Sequence, residues 1–89
     1  MSGDISQTAE ETRIIFVPCD IPPERKTAVW QVRNKYDDGH LGHIAWFGRW
    51  RKYSFFPANE CAFEEVCMRE ISQFIVDRTT EHRAERKAA

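Results

Sequence analysis

Apolar and polar positions alternate with period two over several short stretches of the chain, then change after Pro57 to spacings of three and four residues. The first pattern is that of half-buried strands and the second that of an amphipathic helix. Arg13-Ile14-Ile15-Phe16-Val17 is β-branched and aromatic and is closed by Pro18, which predicts an edge strand followed by an extended Ile21-Pro22-Pro23 loop. From Thr27 to Lys35, Ala28, Trp30 and Val32 fall on one side and Val29, Gln31, Arg33 and Lys35 on the other. Asp37-Asp38-Gly39 then supplies a turn, with Gly39 as the residue that tolerates positive φ.

The next strand, Leu41 to Phe47, meets Gly48-Arg49, the signature of a two-residue type II′ hairpin. That loop predicts a register in which Phe47 faces Trp50, Trp46 faces Arg51, Ala45 faces Lys52, Ile44 faces Tyr53, His43 faces Ser54, Gly42 faces Phe55 and Leu41 faces Phe56. Ile44, Trp46, Tyr53 and Phe55 then share a core side with Trp30 and Val32, and Phe55 can lie over the missing side chain of Gly42. From about 62 to about 83 the apolar positions Phe63, Val66, Cys67, Ile71, Phe74 and Ile75 recur at helical spacing, with Glu64, Glu65, Arg69 and Glu70 mostly outside. Asn59 is the expected cap of that helix, and Glu60, Glu64 and Glu65 suit the positive end of its dipole.

The expected fold is therefore α+β: an antiparallel sheet of three to four strands packed on one C-terminal amphipathic helix. Residues 1–12 are polar and acidic and read as a disordered arm, 13–78 as the domain, and 79–89 as a charged helical extension or frayed tail without core residues. One helix covers one face of a sheet. The other face displays Val29, Gln31, Arg33, Leu41, His43, Ala45, Phe47, Trp50, Lys52, Ser54 and Phe56, too aromatic for plain exposure. Self-association, a partner protein, a nucleic acid or the N-terminal strand are the ways to cover it.

Composition narrows the functional reading. Eighty-nine residues make one domain, in which only about 60 to 65 % of the unfolded surface can be buried, so an aromatic core is needed. The stretch from Trp46 to Phe56 holds six of the eleven aromatics, with Arg49, Arg51 and Lys52 and no acid. Net charge is −1, but residues 24–56 carry seven bases against three acids, while both flanks are acidic. A local anionic partner is thus compatible with a neutral whole. Cys19, Cys61 and Cys67 are odd in number and lack CxxC spacing, which points to reduced, packed thiols. No apolar run reaches the ~20 residues of a membrane span, and a cytoplasmic location is expected, with no membrane partner.

No catalytic motif is present, and the chain is expected not to be an enzyme and to use no cofactor. His40 and His43, near Asp37 and Asp38, are three apart at a strand start and should point to opposite faces, so no metal ligand set is assigned. A thiol nucleophile would need His43 brought to a cysteine with no supporting motif.

Trp30-x-Val32-x-Asn34-Lys35, Leu41-Gly42-x-Ile44, Trp50-Arg51-x-Tyr53-x-Phe55-x-Pro57 and the downstream Phe63, Cys67, Ile71 and Phe74 together resemble a small domain found in phage and prophage-derived genes. The resemblance covers Val29 to Ile75; the strand from Ile14 to Val17 and the tail after Asp77 lie outside it, and Glu64 stands where a short helix cap is expected. It implies a phage-type accessory protein that acts by stoichiometric binding to a host or phage protein. The leading expectation is a protein-binding or homodimerising module that uses Phe47, Arg49, Trp50, Lys52, Phe56 and Arg33. The alternative is single-stranded nucleic-acid binding through the same face, with stacking on the aromatics and Arg49 and Lys52 on phosphates. Arg51 facing Trp46 in the derived register would instead form a structural cation–π contact.

Overall fold

A computed structural model describes residues 13–88, so the expected N-terminal arm over residues 1–12 lies outside the described residues. Four strands follow one another, β1 (Ile14–Pro18), β2 (Trp30–Asn34), β3 (His40–Phe47) and β4 (Lys52–Pro57), and then one helix, α1 (Glu65–Ala88). The strands form an antiparallel meander in the order β1-β2-β3-β4. The expected α+β architecture is what the structure has, with β1 at the sheet edge rather than lying over the open face.

The core forms on the predicted side. Val32 and Ile44 are fully buried, joined by Ile14, Tyr53, Cys67 and Ile71, with Phe16, Trp30, Trp46, Phe55, Phe63, Phe74 and Ile75 packed around them. Aromatic rings tie sheet to helix: Phe16 stacks on Phe74 at 4.0 Å, and Trp30 meets both Phe74 (5.0 Å) and Tyr53 (5.3 Å) edge-on. Such contacts add to the burial of large rings and suit a domain this small.

The β3–β4 register differs from the expected one. Phe47 pairs with Lys52, Trp46 with Tyr53, Ala45 with Ser54, Ile44 with Phe55 and His43 with Phe56. The turn therefore has four residues, Gly48 to Arg51, closed by Arg51 N–H donating to the Phe47 carbonyl at 2.9 Å. Positive φ falls on Arg51 (56°) and not on Gly48. Because the slip is two residues, the paired side chains of β3 and β4 keep their predicted faces. Trp46 now faces Tyr53 and meets His82 at 4.6 Å, so the expected stacking of Arg51 on Trp46 is replaced; the cation–π contacts are Arg78 over Phe74 and Lys35 beside Tyr36.

Between β2 and β3 the register jumps, since Val32 pairs with Gly42 and Arg33 with His40. Leu41 is the extra residue of a bulge, which turns it from the open face onto the core. Gly42 makes this possible: its φ is 153°, and a Cβ there would lie 2.5 Å from the Phe56 carbonyl oxygen and 2.8 Å from the Phe55 ring. The ring does lie over the bare glycine, as the sequence suggested. In the preceding turn the left-handed residue is Asp38 (φ 59°) rather than Gly39. Aspartate tolerates that conformation better than most residues, and Asn34 Oδ1 caps the turn by accepting from Tyr36 N–H at 2.8 Å.

Glu64, not Asn59, caps α1: its Oε1 accepts from Val66 and Cys67 N–H, and its Oε2 pairs with Arg13 at 3.2 Å. One carboxylate thus ties the helix start to the chain entering β1. At the other end α1 continues to Ala88 and its last turns do contact the sheet, contrary to the expected core-free tail. Thr79 is buried, with its Oγ1 accepting from Tyr53 N–H at 3.1 Å; His82 packs on Trp46; and Arg83 donates to the Arg51 carbonyl at 2.9 Å.

Candidate functional site

Paired residues on adjacent strands share a face, so the register assigns the side of the sheet that no other described element covers. One row crosses all four strands through Val17, Gln31, His43 and Phe56; neighbouring rows bring Ile15, Arg33 and His40, then Ala45 and Ser54, then Phe47 and Lys52. The aromatics on this side contact one another. His43 stacks on Phe56 at 5.0 Å, Phe56 meets Phe47 at 6.2 Å, and Trp50 reaches back from the turn to sit edge-on to Phe47 at 4.8 Å. Trp50 is 63 % exposed, and Ile15 and Val17 at the β1 edge are exposed too.

Of the residues expected to bind a partner, Phe47, Trp50 and Phe56 form one continuous aromatic patch, with Arg33 on the same face two strands away. Lys52 stands at the β4 end of that face and also borders hollows on the helix side. Arg49 is exposed in the turn. His43, which the sequence placed on this face without a role, is part of the aromatic ladder. Its pairing with a ring on the neighbouring strand is a tertiary fact with no local signal.

Arg33 spends its charge internally, while Lys52 and Arg49 stand exposed at the turn end of the face. Arg33 donates to the Asp38 carboxylate (2.8 Å) and carbonyl (2.8 Å) and to Gln31 Oε1 (2.6 Å). That bonding and the attraction between the pair raise the Arg33 pKa and lower that of Asp38. Aromatic area with its exposed cations at the rim is the composition of a protein contact rather than of a phosphate track.

The chemistry-bearing residues are otherwise placed as packing. Cys67 is buried, and desolvation, then the nearby Glu64 carboxylate, push its thiol pKa up, the opposite of what a nucleophile needs. Cys61 Sγ donates to the His40 carbonyl at 3.8 Å. His40 and His43 lie on the same face, not opposite ones, because the Leu41 bulge resets the alternation. Among the described residues no three His, Cys, Asp or Glu side chains gather where they could hold a metal ion, and no helix is long and apolar enough to cross a membrane.

The free edge of β4 is a poor template for another strand. Ala58 N–H donates to the Leu41 carbonyl, so alternation points the amides of Ser54 and Phe56 to β3 and those of Tyr53 and Phe55 to the free edge, the side on which residue 57 also falls. There the Tyr53 amide is taken by Thr79, and Pro57 has none. Beside it an apolar groove of about 440 Å³ runs between Phe55, Phe63, Ile71, Ile75 and the exposed Met68 and Val76.

Against protein-family models, curated proteins and solved structures, the chain finds no match. The phage-type resemblance thus stands on its motif residues alone.

Proposed function

We propose that this chain is a non-enzymatic binding module that engages another protein through the open sheet face, in the manner of a phage-type accessory protein. The observation that carries the reading is the uncovered ladder of His43, Phe56, Phe47 and Trp50, flanked by exposed Ile15 and Val17. Tryptophan, tyrosine and arginine anchors dominate binding energy at interfaces, and an aromatic cluster whose face-sharing Arg33 is already paired with Asp38 fits a desolvated contact. The phage-type role draws on the Trp-Arg-x-Tyr-x-Phe-x-Pro hairpin motif.

The test is an affinity capture with the wild-type chain, Trp50→Ala and Phe56→Ser, with light scattering over a concentration series. A partner held by the wild type and weakened about thirtyfold or more by Trp50→Ala supports the reading. A concentration-dependent doubling of mass that Phe56→Ser abolishes makes a second copy the partner. Capture that neither variant alters would remove the open face from the function.

A further inference from the structure

We propose a second binding site on the opposite side of the molecule: a basic groove where the β3–β4 turn meets the last turns of α1, which takes the sugar–phosphate backbone of a single-stranded nucleic acid. The site is independent of the aromatic open face and shares Lys52 alone with it, at the end of its track. Arg51 from the turn and Arg83, Arg86 and Lys87 from the helix line a hollow of about 620 Å³ with Trp46, Gly48 and His82, and no carboxylate faces it. None of the four cations has an acidic partner among the described residues. Ion pairs form elsewhere, among them Arg13–Glu64, Arg33–Asp38 and Arg78–Glu81.

Two of these charges have an ordinary reason. Arg86 and Lys87 lie in the last turn of α1, where the helix dipole favours cations. Arg51 does not share that reason. It holds a left-handed backbone (φ 56°) that costs any residue with a Cβ and costs glycine nothing, and Arg83 clamps its carbonyl from the helix. The turn is thereby fastened with Arg51 beside three other cations, an arrangement that self-repulsion disfavours unless an anion enters between them.

The shape argues for a strand rather than a compact anion. Trp46, His82 and Arg86 also line a neighbouring hollow with Lys26 and Thr27, and Arg83 also lines one with Lys52, Thr79 and Thr80. The three hollows share residues and make one track from Lys26 past Arg51 to Lys52, with Glu85 at the Lys26 end as its one acid. A positive groove with an aromatic wall is how sequence-tolerant single-strand binders follow a backbone. The net charge of −1 means that any such attraction is local to the groove.

The experiment is fluorescence anisotropy of end-labelled single-stranded DNA and RNA dodecamers titrated with the full chain at about 50 and about 200 mM salt. Neutralising about four phosphates of a single strand should weaken binding roughly fiftyfold across that salt range. Arg51→Gly, alone and combined with Arg86→Gln and Lys87→Gln, should lower affinity progressively, to about a hundredth in the triple variant. Arg51→Gly relieves a left-handed backbone, so its thermal midpoint should equal or exceed that of the wild type, which separates lost binding from lost folding. Met68→Ser, exposed in the first turn of α1 and lining none of the three hollows, should bind as the wild type. The proposal is overturned by absence of saturable binding at the lower salt, or by full affinity in the folded triple variant. Equal competition by polyglutamate or by duplex DNA of the same length would also overturn it, as would loss on Phe56→Ser with the groove variants intact.

Discussion

On the side that α1 covers, Val32 and Ile44 lose all contact with solvent, Trp30 meets Phe74 and Tyr53 meets His82 edge-on, and Trp46 lies tilted on His82. On the opposite side Phe47, Phe56 and His43 lie against one another and Trp50 stays mostly in water. The two faces come from the same strands, which turn Phe16, Trp30, Trp46, Tyr53 and Phe55 toward the helix and Phe47 and Phe56 away from it. What separates them is a second layer. A ring held between sheet and helix is counted in the folding free energy, whereas a ring resting on a neighbour in the same sheet keeps much of its apolar surface available for something else.

The difference is testable one residue at a time. The largest effect should come from Gly42→Ala on the covered side, where the new Cβ would collide with the Phe56 carbonyl and the Phe55 ring at positive φ. A loss of about 3–5 kcal/mol, read from urea unfolding, is expected. A loss below about 1 kcal/mol would mean that the bulge gives way easily and that Leu41 can return to the open face.

Next comes Thr79→Val, which keeps the shape but leaves the buried Tyr53 amide without its acceptor. It should cost about 1–3 kcal/mol, with Thr79→Ser restoring most of it. Equal stability of wild type and Thr79→Val would show that the C-terminal part of α1 is not docked. Phe56→Ala on the open face should cost only about 1 kcal/mol, since the half-exposed ring has little to lose. If it cost as much as Gly42→Ala, the distinction between the two faces would fail.

The smallest effect is electrostatic. The Asp38 pKa is depressed in the folded chain by the hydrogen bond from Arg33 and then by its charge. A depressed carboxylate pKa stabilises above its unfolded value near 3.9, and that contribution is lost as pH falls through the lower folded value. Asp38→Asn, which still tolerates the left-handed backbone, should therefore lower stability only slightly near neutral pH, where the solvent-screened pair still contributes, and match the wild type once pH falls below the folded Asp38 pKa. It should flatten the acid limb of a stability-against-pH curve, and an unchanged acid limb would show that the Arg33–Asp38 pair contributes nothing in solution.

Much of this was legible from residue order. Period-two alternation assigned Ile44, Trp46, Tyr53 and Phe55 to the core, and it did so even though the hairpin loop was two residues longer than Gly48-Arg49 suggested. A two-residue slip preserves parity, so the face assignment survives an error in the turn. The open-face placement of Phe47 and Phe56 followed from the same alternation, whereas Trp50, expected as the strand partner of Phe47, reaches that patch from the turn. The bulge at Leu41 did not, because it is a change of parity that a strand pattern cannot display.

Residue order therefore determined which side chains face which way and that one helix would cover one side of the sheet, since those depend on backbone periods of 2 and 3.6 residues. The tertiary structure alone decided where polar groups find partners distant in the chain. Thr79 receives an amide 26 residues away, and Arg83 reaches a carbonyl 32 residues away. Those two bonds fasten the end of α1 to the β3–β4 hairpin, convert an apparent tail into part of the domain, and bring the cations of the helix beside Arg51. Hydrogen bonds of that span leave no periodic trace, because each needs a single donor and a single acceptor brought together by packing that other residues provide.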